Sequence, residues 1–570
     1  MTAAMEIPRS TERRRLDEVL CVLRDGARAW AERPLAARIA LARSMLAGAA
    51  RIAERSVSEA CAVKGLEMGT PLEGEEWLSS PYVTLRLLRQ TVRSLVMLER
   101  NGNTPVGRTG ETVDGRLTVR VFPVNRLDSL LFMGVRGEVH FLEGVDEDEL
   151  NRSRARFHKG RDHEGKVCLL LGAGNVNSIP PGDVLCKLFN EGKVCLLKMN
   201  PVNAYMGPLL EQAFAEAVAK GFLAIVYGGA DEGTYLANHP AVDEVHVTGS
   251  NQTHDLLVWG PATPERAQKM ARGAPLLEKV ITSELGNITP VIVVPGAWTD
   301  RELEYQAGNV AGMVTNNASF NCIAAKMLVL PRGWALRDQF LGLLLQQMAM
   351  TPARRAWYPG AEERYRSLTE GRTGIRRIGG GDGALPWTLV PGLDPADSSE
   401  KAFLGEPFCS LVFETQVGSD DPLEFLDAAV RFSNERLWGT LSAMLLACTH
   451  TEQDERLAEA LERAIRSLRY GSVCVNVWSG YGYSSGTGPW GAFPGAPLTD
   501  IQSGRGFVHN TRMLENMEKL VMRGPSWSAI KPPYSPSHRS AHILCRRLAF
   551  LEEDGSWLKL PGIFGAAMRA

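Results

Sequence analysis

From Lys166 the sequence alternates between short apolar runs and helix-length segments, and this rhythm limits the possible fold more than any other feature. The runs KVCLLLGAG, KVCLLK, FLAIV and VDEVHVTGS each lead into Gly, Asn or Ser, and segments such as DVLCKLFNEG and MGPLLEQAFAEAVAKG separate them. Apolar runs of strand length joined by helical crossovers predict a doubly wound parallel sheet. Its ligand crevice lies at the carboxyl ends of the strands.

A second alternating region spans about Leu277 to Trp478, with the strand-like pieces TPVIVV, KMLVLP, CSLVFET and SVCVNVW. Within it, VTNNASFNCIAAKMLVL places Cys322 after a polar, Asn-rich turn and just before an apolar run. A cysteine so placed suits a nucleophile, and Glu284 in ITSELGNITPVIVV also stands at the edge of an apolar run. A base and a thiol would then meet at one end of a sheet.

The chain has 570 residues, too many for one hydrophobic core. A net charge of -2 gives no global attraction for nucleic acid or acidic lipid. The first twenty residues carry charge without an apolar core segment, and the sequence contains no apolar run long enough to span a bilayer, which argues against secretion and membrane spanning. Ten cysteines scattered without a CxxC pair suit a reducing cytosol, and hence a cytoplasmic location.

Helical spacing dominates Thr11 to Leu98, where Arg13, Arg14, Arg15, Arg38, Arg43 and Arg51 alternate with acids and read as a solvated face. Between Asn101 and His163 short alternating runs predict antiparallel strands. The glycine-rich stretch Gly374 to Leu385 lacks the Lys-Ser/Thr of a phosphate loop and reads as a surface loop. His538, His542 and Cys545 have helical spacing, but no fourth ligand accompanies them and the segment is polar, so an exposed helix is expected and no metal.

Six separated stretches resemble the aldehyde dehydrogenase superfamily in order, over roughly Trp30 to Met522: the turn with Asn175 and Asn177, VHVTGS, SELGNI, NNASFNC, FLGEP and SGRG. The resemblance implies a Rossmann-like nucleotide domain, an α/β catalytic domain and a small antiparallel oligomerisation arm that completes a partner's sheet. The corresponding ranges are 1–117 and 152–283, 284–490, and 118–151 with 491–525, leaving 526–570 as a tail. A homodimer or homotetramer follows by the same implication.

By similarity, Cys322 is the nucleophile and Glu284 the base that activates the deacylating water. Asn175 or Asn177 holds the oxyanion, with Asn177 favoured on its distance from the next strand. Lys198 or Asn200, Gly228, and Gly249 with Ser250 are implied for NAD or NADP. Glu400 is implied for the nicotinamide ribose, with Glu406 the rival. Ser319-Phe320 replaces the family's Gly-Gln, so Phe320 either narrows the substrate tunnel or packs inside. Trp478, Tyr481, Tyr483, Trp490 and Phe493 fall near the tunnel by similarity and suit a large apolar aldehyde. The expected activity is oxidation of that aldehyde to a carboxylic acid through a thioester. A coenzyme A-dependent acyl-CoA reductase and a catalytically silent binding protein are the alternatives.

Overall fold

In the computed structural model, which describes residues 8–160 and 163–569, two parallel-centred sheets stand side by side. The first holds Gly504–Arg505, Val280–Leu285, Glu244–Gly249, Lys166–Leu171, Lys193–Lys198 and Leu223–Val226, in that spatial order. The chain runs outward from Lys166–Leu171 through the next two strands, then returns to Glu244–Gly249 on the other side. Leu169, Leu196 and Val245 are buried, as expected of strands covered on both faces. The switch point, where a crevice opens, therefore lies beyond Leu171 and Gly249.

The second sheet has eleven strands and is centred on Thr289–Val293 and Ala325–Pro331. Leu117–Phe122, Arg136–Phe141 and Met517–Arg523 were expected to complete a partner's sheet, and here they extend this chain's own. Met517–Arg523 runs parallel to Ser472–Val475, with Ser472 opposite Leu520 and Cys474 opposite Met522. The place beside Ser472–Val475 is thus filled from within the chain.

Two solvated-face expectations are corrected. Arg13, Arg14, Arg15, Arg43 and Arg51 are exposed, but Arg38 is buried, donating to the Ala31 carbonyl at 3.0 Å and lying 4.2 Å over the Phe157 ring. His538 is buried as well, and the helix begins only at Ala541. No His/Cys/Asp/Glu group suited to a metal occurs among the described residues. The glycine-rich stretch forms an exposed turn between the short strands Arg376–Ile378 and Ala384–Leu385. No helix among the described residues is long and apolar enough to cross a membrane, and the first seven residues of the charged N-terminal stretch lie outside the description.

Candidate active site

The helix Asp300–Thr315, begun by a Thr299–Glu302 capping box, delivers the chain to a tight turn before Cys322. Asn317, Ala318 and Ser319 have φ of 53, 54 and 69°, three successive left-handed residues of which none is glycine. Such conformations cost about 1–2 kcal/mol each and persist where the surroundings over-determine them. Here Lys64 Nζ donates to Asn317 Oδ1 at 3.0 Å, the Asn317 N–H donates to Glu75 Oε2 at 3.0 Å, and Lys326 Nζ donates to Ser319 Oγ at 2.6 Å. Phe320 packs inside rather than narrowing the tunnel, with ring centroids 5.1 Å from Trp357 and 5.7 Å from Tyr358 and Phe408.

Cys322, partly exposed, faces a cavity on one side and the Glu284 carboxyl on the other. Glu284 stands near the end of a strand of the nucleotide sheet, opposite Thr248 on one neighbouring strand and Gly504 on the other. Its carboxyl is 5 % exposed, and Oε1 has no protein hydrogen-bond partner. Burial, then the nearby Asp183, pushes its pKa up to about 8. Burial followed by the Glu284 and Glu406 carboxyls holds the Cys322 thiol well above its ordinary value. Thiol and acid thus share a site that resists a second negative charge.

Asn175 and Asn177 diverge. Asn175 Nδ2 donates to the Phe320 carbonyl at 3.0 Å, and its own carbonyl accepts from Asn317 Nδ2 at 2.9 Å, so it is knitted into the cysteine loop. Asn177 Nδ2 turns away to the Tyr205 hydroxyl at 2.9 Å and lines a separate small cavity with Met206 and Phe214. The geometry favours Asn175, against the expectation drawn from spacing.

Glu400, three residues before FLGEP, and Glu406 within it separate as clearly. Glu400 caps the Lys401–Leu404 helix, accepting from the Ala402 N–H at 2.8 Å, and is paired with Arg372 at 2.5 Å. Glu406 reaches the centre: its Oε1 accepts from the Asn287 N–H at 3.3 Å, and a side chain at Gly286 would run into its carboxylate. Burial raises Glu406 to about 7, against the opposing pull of Lys326. Asp183, which the sequence reading missed, is also lifted to about 7 by burial, and accepts from Thr248 Oγ1 at 2.8 Å.

At the switch point, Ser250 caps the Asn251–Trp259 helix, its Oγ accepting from the Thr253 N–H at 3.2 Å. Gly249 is exposed, and a Cβ there would meet open space, which leaves the helix N-terminus accessible to an anion. Lys198 is buried at the end of its strand and makes one weak bond, to the Met199 carbonyl at 3.3 Å, so most of its donor capacity is unused. Asn200 is spent capping the turn at Pro201, accepting from the Val202 N–H at 3.0 Å. Gly228, at φ 149°, lies against the Glu232 side chain. Glu232 also faces Lys198, placing a carboxylate near it. These residues fit a dinucleotide: a helix N-terminus for pyrophosphate, and a lysine and carboxylate for a ribose.

The cavity in front of Cys322 has a volume of about 190 Å³. Val176, Ile179, Ile323, Trp478, Tyr483 and Trp490 are among the side chains that line it near the thiol. Tyr481 joins them, whereas Phe493 lies elsewhere, 5.2 Å from Lys519 Nζ.

Comparison with known proteins finds similarity over parts of the sequence and over most of the fold. Residues 185–359, which hold both Glu284 and Cys322, match the model of the aldehyde dehydrogenase family. An N-succinylglutamate 5-semialdehyde dehydrogenase of Ectopseudomonas mendocina is 27% identical over 170 residues, 30% of this chain and 31% of that protein. A 4-trimethylaminobutyraldehyde dehydrogenase A of Danio rerio is 32% identical over 139 residues, 24% of each chain. The chain thus spans less than a third of the length of these curated relatives. Among solved structures, an aldehyde dehydrogenase C mutant from Pseudomonas syringae, in complex with NAD+ and octanal, superposes with a TM-score of 0.59 at 16% identity, covering 91% of this chain and 90% of that one. An NADP-dependent glyceraldehyde-3-phosphate dehydrogenase from Bacillus halodurans, complexed with NADP, gives 0.57 at 17% identity over 90% and 92%. The stretch 185–359 is thus similar to the aldehyde dehydrogenase family, and the chain shares the overall fold of these solved structures.

Proposed function

We propose that the protein oxidises a large apolar aldehyde to a carboxylic acid with NAD or NADP. The observation that carries this reading is Cys322 at the end of an apolar cavity, with the buried Glu284 carboxyl behind it. The Cys322 sulfur attacks the aldehyde carbonyl as its proton passes to Glu284. Asn175 Nδ2 and the Cys322 N–H are the donors for the oxyanion. A nicotinamide bound at the crevice supplies the oxidant for the resulting hemithioacetal. Glu284 releases that proton to solvent and then takes one from water; the hydroxide so formed opens the thioester on Cys322 to the acid, and Glu284 returns the proton to the departing thiolate.

The unpartnered Oε1 of Glu284 suits this second role, since it leaves a lone pair for a water. Glu232 near Lys198 supports NAD over NADP, because a carboxylate there repels a 2′-phosphate. The unpaired cysteines fit a reducing cytosol.

The test is reduced-nicotinamide absorbance with a panel of aliphatic and aromatic aldehydes, with NAD or NADP, with and without coenzyme A, beside Cys322→Ala. Turnover without coenzyme A that falls by about 10⁴-fold or more in the variant is expected. Turnover only with coenzyme A would replace hydrolysis by acyl transfer. Failure of the protein to bind either nucleotide would leave the silent reading.

A further inference from the structure

The tail beyond Arg523, which the motifs of the family do not reach, builds a wall of the cavity at Cys322. The segment from Pro525 to Tyr534 runs along it, and the helices Ala541–Asp554 and Leu560–Ala567 close it with Leu544, Leu548, Ile563 and Phe564. The helix Ala541–Asp554 packs against the N-terminal helices, whose Leu78, Tyr82 and Val83 also line the cavity.

The tail is fastened at both ends of this wall. Near the cysteine, the Tyr534 hydroxyl donates to Asn309 Oδ1 at 2.6 Å on the helix that leads to the nucleophile, and its ring lies 5.0 Å from Trp478. At the far end the buried Arg86 guanidinium donates to Glu552 Oε1 and to Asp128 Oδ2, both at 2.7 Å, and to the Ser485 carbonyl at 3.0 Å. A single arginine thus ties the tail, the short helix Arg126–Leu131 and the aromatic Tyr481–Tyr483 segment together around the cavity. Buried charges on three separate segments hold one another only in the docked arrangement.

The wall is also chemically selective. Among the described lining residues only Glu75 and Lys531 carry charge, and the Glu75 carboxylate is already engaged by Arg354 at 2.6 Å. A charged substrate finds little to pair with, whereas an apolar chain meets Leu, Ile, Phe and Tyr side chains. Burial of each methylene favours binding by about 0.8 kcal/mol.

We propose that residues 525–567 are the specificity-determining wall of the cavity, selecting aldehydes with a long apolar chain over small ones. This inference rests on the aldehyde-oxidising reading of the same site. The full chain is assayed with decanal and with propanal, in the wild type, in Leu548→Trp and Ile563→Trp, which fill the wall, and in Glu553→Gln on the exposed side of the same helix. The expected result is a wild-type preference for decanal in kcat/KM and a drop in the decanal-to-propanal ratio of about tenfold or more in both tryptophan variants, with the ratio held in Glu553→Gln. A loss of folding lowers both rates alike, so the ratio isolates the wall. An unchanged ratio in folded variants overturns the proposal while leaving the oxidation intact. Should no aldehyde turn over, calorimetric binding of decanal decides. Binding that weakens in Leu548→Trp and Ile563→Trp upholds the wall and rejects only the oxidation, and absence of binding to the wild type overturns the wall.

Discussion

Cys322 separates two unlike chambers. In front lies a cavity lined by aromatic and aliphatic side chains drawn from the two ends of the chain as well as its middle. Behind lies a cluster of carboxyls, the buried Glu284 and Asp183 and the half-buried Glu406, all raised in pKa by desolvation. The contrast assigns the work. The apolar side can bind a substrate without ionising anything, and the carboxyl side can move a proton because its groups are held near neutrality.

The largest effect that sharpens this comparison, after loss of the cysteine itself, is expected at Glu284. Glu284→Gln keeps shape but no longer accepts a proton, and should lower kcat by about 10²- to 10⁴-fold with little change in aldehyde KM. Rapid-quench assays should then show a slowed first turnover of reduced nicotinamide, because Cys322 has lost its proton acceptor, followed by a stall, because thioester hydrolysis needs the base too. A variant that turns over steadily would remove Glu284 from the mechanism. The wild-type rate should rise with pH through about 8, since the base form appears only above the raised pKa. The same raised value weakens the fold in that window: protonated Glu284 is the form the folded state favours, so its contribution is present at low pH and lost as pH rises through about 8.

Next in size is the oxyanion donor. Asn175→Ala should cost about 10²- to 10³-fold in kcat, whereas Asn177→Ala, which loses a bond to Tyr205 remote from the thiol, should affect stability more than rate. Parallel kinetics and thermal melts on the two variants separate the roles. A larger kinetic loss in Asn177→Ala would reverse the assignment.

Alkylation of the resting protein does not distinguish an active enzyme from a silent one. Burial and two carboxyls keep the Cys322 thiol protonated, so slow modification at neutral pH is expected even of a competent nucleophile.

What the sequence made legible was local. The strand-turn-helix rhythm from Lys166 gives the nucleotide sheet because each unit is set by neighbouring residues, and Gly249-Ser250 falls at a helix N-terminus as the resemblance implies. Cys322 and Glu284 were legible as two edges of apolar runs, and the chain brings those edges together. Choices between near neighbours were not. Asn175 and Asn177 differ by two residues, yet a turn sends one to the cysteine loop and the other to Tyr205. Glu400 and Glu406 flank a short helix, and only the second reaches Asn287. The tail was hidden for a different reason. The polar stretch around His538 drew attention from Leu544, Leu548 and Leu551, whose helical spacing was the available signal, and their partners lie near the other end of the chain.

The smallest expected effect tests whether the carboxyl chamber acts as a unit. Lys326 and Arg364 oppose the charge of Glu406, and burial nevertheless raises it only to about 7, so near pH 8 it is ionised and acts on Glu284 as a like charge. Glu406→Gln removes that charge and keeps an acceptor for the Asn287 N–H. With less repulsion Glu284 ionises more readily, and the alkaline rise in kcat should move to lower pH while its plateau holds to within a few-fold. The Cys322 thiol, raised by the same carboxylate, should alkylate faster at a given pH in the variant. If the pH limb and the alkylation rate both stay in place, Glu406 is electrically insulated from the pair and the carboxyls behind Cys322 work singly.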